Sequence, residues 1–412
     1  MQKKKNFPKC AFCGKTSKEV GFLIEGNALG QKVCICSICH NTCDHIFTYH
    51  TKEEKKAFKP DRKSQSLSKI TPRKIKEFLD EHIIGQERAK CALSISVSNH
   101  YKRIFKTKAE QNKFLPDVNI EKSNVLLVGP TGSGKTLMIK KLAAFLDVPL
   151  AIGDATALTE AGYVGEDVES LITALYRNAD YDVKRTEKGI IYIDEIDKIS
   201  KSRNNISISR DVSGEGVQQS LLKLIEGSVC NVNPQGGRKH PEQKFLQVDT
   251  TNILFICGGT FVGVDDIISR RNGKKMGFGG GVTEEQNETV IPDDLVSFGM
   301  IPEFIGRFPL IEKLEKLDIK DLVAVLKEPK NSLINQYKKI FSFDSVELEF
   351  EDDTLHRIAE TAFKLETGAR GLKQVMEKVL FDYNFNIDKY KDKKLIVKPV
   401  DVDKQWKKVS NI

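Results

Sequence analysis

Val125-Leu-Leu-Val128-Gly129-Pro130-Thr131-Gly132-Ser133-Gly134-Lys135-Thr136 decides how the rest of the chain is read. A run of four apolar residues leads directly into a glycine-rich loop, and Met138, Leu142 and Phe145 follow at helical spacing. Strand, loop and helix in that order are the context in which G-x-x-x-x-G-K-[ST] cradles phosphate rather than forming a plain turn. The glycines let backbone N–H groups converge on phosphate oxygens, and the helix N-terminus adds a favourable dipole. Lys135 then reaches the β- and γ-phosphates, and the Thr136 hydroxyl ligates Mg2+. The stretch therefore predicts ATP and Mg2+ as cofactors.

Hydrolysis needs a second element, which Ile190-Ile-Tyr-Ile-Asp194-Glu195 supplies as a buried strand ending in adjacent carboxylates. Asp194 is expected to hold magnesium and Glu195 to polarise the attacking water. Val148 to Ile152 and Ile253 to Cys257 are further short apolar runs without alternation, as expected of parallel strands covered on both faces. This is an α/β pattern from Asn124 to about Leu310. Beyond it, helical spacing runs from Asp352 to Leu365 and through Leu372, Val375, Met376, Val379 and Leu380. Alternating Val346, Leu348 and Phe350, with Leu395 to Val397, add short strands to a small, mainly helical domain. Arg307 and Arg370 are the remaining candidates for offsetting γ-phosphate charge; taken singly, an arginine so placed is more often a surface ion pair.

At 412 residues the chain exceeds one ordinary core. With 40% apolar and 30% charged residues and no apolar run of membrane-spanning length, it has the composition of a soluble, non-membrane protein, and a mature cytoplasmic chain is expected. The net charge of +8 is spread along the sequence, with no basic stripe or aromatic platform of the kind nucleic acid requires. That argues against a nucleic-acid remodelling ATPase. Nor can a Ser/His/Asp or Cys/His arrangement for peptide cleavage be placed.

Six of the nine cysteines fall between Cys10 and Cys43. Cys10-x2-Cys13 and Cys36-x2-Cys39, 22 residues apart, have the pairing of a four-thiolate structural Zn2+ site, though Cys34, Cys43 or His40 could substitute. From Thr51 to Lys69 the composition is too polar to bury a core and reads as a linker. The expected domains are residues 1–50 (zinc-binding), 51–69 (linker), 70–315 (large α/β) and 316–412 (small).

These motifs together resemble the AAA+ ATPases, and within them the Clp unfoldase family, over nearly the whole chain. The resemblance is carried by Ile84-Gly-Gln-Glu-Arg-Ala89, Asn99-His-Tyr-Lys102, the phosphate loop, Gly162-Tyr163-Val164-Gly165 and Asp194-Glu195. It continues through Val212-Ser-Gly-Glu-Gly-Val217, Arg238-Lys239-His240, Phe304-Ile-Gly-Arg307 and Gly368-Ala-Arg370-Gly371. It implies a homohexameric unfoldase with ATP between neighbouring subunits, Ile84 on the adenine side, Arg307 acting in trans and Arg370 in cis. Tyr163 and Val164 would grip polypeptide in the central pore, and Arg238, Lys239 and His240 would ring its entrance. The resemblance also selects Cys10, Cys13, Cys36 and Cys39 as zinc ligands, in a domain that recognises adaptors and some substrates. Met276-Gly277-Phe278 would dock on the ClpP peptidase. The family pattern has Ile where Met276 stands, so a stand-alone chaperone that never engages ClpP is the alternative. No role is assigned to Gly258-Gly259-Thr260.

Overall fold

In a computed structural model, the described residues are 8–20, 22–28, 31–37, 39–40, 70–105, 118, 120–159, 166–201, 214–232, 246–273 and 289–410. The chain divides into two compact units, 1–66 and 67–412.

The larger unit is built on a five-stranded, wholly parallel sheet: β1 Val125–Val128, β2 Leu150–Asp154, β3 Ile190–Asp194, β4 Leu254–Gly259 and β5 Leu310–Lys313. Its spatial order is β5-β1-β4-β3-β2. Val125 pairs with Ile256, and Ile190 with both Leu254 and Leu150. The side chains of each central strand alternate between two cores. Leu126, Val128, Ile191, Ile193, Phe255 and Cys257 pack with Leu171, Leu175 and Leu221 on one face. Val125, Leu127, Ile190, Tyr192, Leu254 and Ile256 meet Leu93, Met138 and Leu142 on the other. Burial on both faces explains why these strands show no apolar–polar alternation.

Strands β2 and β4 begin and end one or two residues later than their apolar runs predict, because Asp154 and Gly259 continue the pairing. The fifth strand, Leu-Ile-Glu-Lys, is not anticipated by the sequence reading. It is a half-buried edge strand with two charged residues, so it lacks the apolar signature of the centre.

Residues between Leu317 and Trp406 form the third core, around Leu322, Phe341, Ile358, Leu372 and Leu380. Helices Asp352–Phe363 and Ala369–Phe385 realise the predicted spacing, and Glu347–Phe350 pairs in parallel with Lys394–Val397. In the N-terminal unit, Leu23–Ala28 and Gln31–Cys36 form an antiparallel hairpin.

Candidate nucleotide site and metal centre

The phosphate loop joins β1 to the helix Lys135–Leu146. Its first residue is tied to the neighbouring strand, the Gly129 N–H donating to the Gly259 carbonyl at 3.0 Å. Lys135 heads the helix, and its ammonium donates to the carbonyls of Gly129 at 2.5 Å and Pro130 at 3.1 Å, spanning the loop. Burial first, and the charge of Arg370 with it, hold the Lys135 pKa down, against the opposing pull of Asp194 and Asp197. A desolvated ammonium beside a concave main chain gains from an anion. The Ser133 hydroxyl in the same loop is buried without a hydrogen-bond partner, as is Thr367 Oγ1 nearby in the small domain's approach. Orphaned polar atoms of this kind fit a phosphate-bearing ligand.

Thr136 Oγ1 donates to Asp194 Oδ2 at 2.7 Å, which joins the loop to the acidic end of β3. The other oxygen, Oδ1, accepts from the Tyr192 hydroxyl at 3.2 Å and the Glu195 N–H at 3.0 Å. Asp194 is thus aimed from three sides. Glu195 is exposed and left-handed, with φ of 55°, where the chain leaves the strand. Asp197 is buried and accepts from both the Thr260 N–H at 3.0 Å and the Thr260 hydroxyl at 3.1 Å.

Tyr192, Asp197 and Thr260 are site residues the sequence reading did not assign. A signal for Tyr192 was present: two residues before Asp194 on one strand, it shares the same face. Gly258 belongs with it, since a Cβ there would lie 2.1 Å from the Tyr192 hydroxyl.

The small domain closes on the loop through main chain. Ala369 N–H donates to the Gly132 carbonyl at 3.2 Å, and a Cβ on Gly132 would meet the Thr367 carbonyl at 2.3 Å. Gly132 is left-handed, with φ of 78°, so only glycine meets both demands. Arg370 follows at the exposed start of its helix. Pro130, Thr131, Gly132 and Ser133 line a cleft with Lys316 and Leu317. Ile84 is half-buried in the connection between the helices Pro72–Asp80 and Glu87–Phe105.

Arg307 is not drawn into this cluster. It is exposed beyond helix Pro302–Ile305, and its guanidinium pairs with Glu226 at 2.5 Å. Tyr163, Val164, Arg238, Lys239, His240, Met276, Gly277 and Phe278 lie outside the described residues, as do Cys43 and the expected linker.

In the N-terminal unit, the Sγ atoms of Cys10, Cys13, Cys36 and Cys39 all lie within 4.8 Å of one another, Cys13 and Cys36 at 3.8 Å. A tetrahedral ion with Zn–S bonds near 2.3 Å requires edges of about 3.8 Å. Backbone N–H groups of Cys36 and Cys39 donate to Cys10 Sγ and Cys36 Sγ. The Cys13 N–H chiefly draws the Cys10 thiol down to about 6, while a hydrogen bond with Cys36 pushes Cys39 up to about 12. Four thiolates this close need a central cation to coexist. Cys34 is buried outside the cluster, its carbonyl accepting from the Ala11 N–H at 2.8 Å.

Three family descriptions match this chain: a ClpX C4-type zinc finger over residues 8–48, an AAA domain of the Cdc48 subfamily over 120–311, and the C-terminal D2-small domain of ClpB protein over 317–383. A Treponema denticola protein named ATP-dependent Clp protease ATP-binding subunit ClpX is 50% identical, the match covering 94% of this chain and 92% of its own. A Borrelia duttonii protein of the same name is 50% identical over 94% of this chain and 89% of its own. The chain belongs to the ClpX family. As a ClpX-family member it is an AAA+ ATPase that uses ATP and Mg2+, carries a zinc-binding domain and is not itself a protease. Among the described residues no helix is long and apolar enough to cross a membrane.

Proposed function

We propose that this chain is an ATP-driven unfoldase and translocase that works as a cytoplasmic homohexamer, threads protein substrates through a central pore and delivers them to the ClpP peptidase. The observation that carries the reading is the Thr136–Asp194 hydrogen bond, which puts the phosphate loop and the acidic strand end in one site. Magnesium held there by Thr136 and Asp194 supplies positive charge against the β- and γ-phosphates. Gly129 to Thr136 cradle the phosphates through main chain, with Lys135 freed from its own carbonyls to meet them. Ile84 faces the adenine side. Glu195, exposed beside Asp194, orients the attacking water and takes its proton.

Arg370 meets the γ-phosphate of its own subunit from the small domain, and Arg307, exposed and held by Glu226, serves the neighbouring subunit's site. Tyr163 and Val164 push polypeptide, Arg238, Lys239 and His240 meet carboxylate-bearing ends at the entrance, and Met276, Gly277 and Phe278 dock on ClpP. Cys10, Cys13, Cys36 and Cys39 hold zinc in the domain that receives adaptors. The large ATPase domain ends at residue 315 and the small one begins at 316.

Glu195→Gln is expected to retain ATP binding and lower turnover by about 10²- to 10⁴-fold; turnover at the wild-type rate would refute the assignment. For the partner, the test is co-purification with ClpP under ATP, and ATP-dependent degradation of a tagged protein. ATPase activity without a ClpP complex, and unfolding without degradation, would instead identify the stand-alone chaperone that Met276 in place of Ile allows.

A further inference from the structure

Gln86 lies two residues beyond Ile84, and its side chain is used in an unusual way. It is only 4% exposed, yet it is neither in a helix nor part of the apolar core. Its amide group pairs with one distant residue at both ends: Nε2 donates to the Glu315 carbonyl and Oε1 accepts from the Glu315 N–H, each at 2.9 Å. A side-chain amide here imitates a strand, satisfying both main-chain groups of a residue that has left β5. Gly85 and Gln86 are both left-handed, with φ of 64° and 59°. For glutamine that conformation is unfavourable and persists only where the surroundings enforce it.

The place of Glu315 gives this pairing its meaning. Leu314 N–H donates to the Val128 carbonyl at 2.7 Å, and Leu314 packs where a Gly129 Cβ would be. Lys316 and Leu317 line the cleft beside Pro130 to Ser133, and the Lys316 ammonium lies over the Phe363 ring of the small domain. Three successive positions therefore face the phosphate loop, the Ile84 segment and the small domain. Arg88, near Glu312 at 3.6 Å, ties the same segment to β5.

We propose that Gln86 is a positioning residue that fixes the Glu315 main chain to the adenine-side segment, so that the small domain pivots from Lys316 onward and closes on nucleotide from a defined point. This rests on nucleotide occupying the cleft between the loop and the small domain, as proposed above. Without the clamp, Lys316 and Leu317 must be ordered when nucleotide binds, and affinity falls.

The test uses the full-length chain. Gln86→Leu keeps the volume and removes both hydrogen bonds. It is expected to raise KM for ATP about tenfold, change kcat by less than about twofold, and speed hydrogen exchange at the Glu315 amide. Gln86→Glu keeps an acceptor for the Glu315 N–H but sets a second acceptor against the Glu315 carbonyl, so its KM should rise at least as far as that of Gln86→Leu. A core variant, Leu93→Val, matched for loss of melting temperature, should leave KM unchanged. A folded Gln86→Leu protein with wild-type KM and Glu315 protection would overturn the proposal, as would a KM shift no larger than that of Leu93→Val. Should Gln86→Leu fail to fold, Gln86→Glu decides on the same readouts. Failure of the hydrolytic assignment is separate, since it would appear as undiminished turnover in Glu195→Gln with the Gln86 effects intact.

Discussion

In residues 8–40 the buried side chains include Cys10, Cys34 and Cys36, while Phe12 and Phe22 stand exposed. In residues 67–412 the buried set runs through Leu126, Tyr192, Phe255, Phe304 and Phe341, and encloses His100 and most of Lys122. Each unit thus takes ionisable groups out of water, and each neutralises them differently. Four thiols gather around a place for a cation, which would let them ionise together and would stand in for a core. In the ATPase unit burial, joined by the charge of Arg103, disfavours the protonated forms: His100 is driven down to about 3 and Lys122 down to about 7, although the Lys122 ammonium donates to the Thr250 carbonyl at 3.1 Å. The lesson concerns scale, because a short segment with few apolar side chains inside cannot offset chain entropy alone, whereas a two-faced sheet can also absorb a misplaced lysine.

The largest effect that could break this contrast comes from zinc removal. Structural zinc in small fingers contributes roughly 10–16 kcal/mol. Chelation under reducing conditions is therefore expected to unfold residues 8–40 while the thermal transition of the ATPase unit stays in place. Hydrogen exchange resolved along the chain would show it, and protection surviving in the N-terminal unit would mean that its hairpin stands without metal.

A smaller effect sharpens the account of the sheet. Gly258→Ala forces a methyl group against the Tyr192 hydroxyl, and overpacking of this kind costs about 1–3 kcal/mol. It should also slow ATP turnover by disturbing the hydrogen bond to Asp194. Combining it with Tyr192→Phe removes the hydroxyl, so the double variant should be more stable than the sum of the two single losses. Strict additivity in urea denaturation would show that the glycine answers to something else.

The smallest effect is a pH dependence. Lys122 has a folded pKa of about 7 against an ordinary 10.5, lowered first by burial and then by Arg103, with Asp249 opposing. Between those values the unfolded chain holds a proton that the folded chain lacks, so this group makes stability rise as pH rises through the window. Below pH 7 both states are protonated and the destabilisation is complete. Lys122→Met should therefore stabilise most at or below pH 7, with the advantage shrinking toward pH 10. A gain that grew with pH would contradict the burial argument.

Much of this was legible in sequence because the chemistry is local. The phosphate loop is one uninterrupted stretch, Asp194 and Glu195 are adjacent, and the paired cysteines announce their partners by spacing. What was not legible depends on residues far apart in the chain. Thr260 reaches Asp197 only because β4 lies beside β3, and Gln86 meets Glu315 across 229 positions. Strand β5 escaped notice because an edge strand need not be apolar. Gly258 and Gly259, to which the sequence assigns no role, continue a fully buried strand, their missing side chains making room for Tyr192, Asp197 and Phe261.

The back-to-back approach of Gly132 and Gly368 has a consequence for how the protein can be altered. A Cβ on Gly368 would meet the Thr131 carbonyl at 2.8 Å, as one on Gly132 would meet Thr367. Where the loop and the small domain touch here, peptide bonds bear directly on peptide bonds. Side-chain exchange cannot retune such a joint by degrees, because every replacement adds bulk where none fits. Variation in how tightly this engine grips its fuel must come from the residues around that bearing, since the bearing itself admits no side chain.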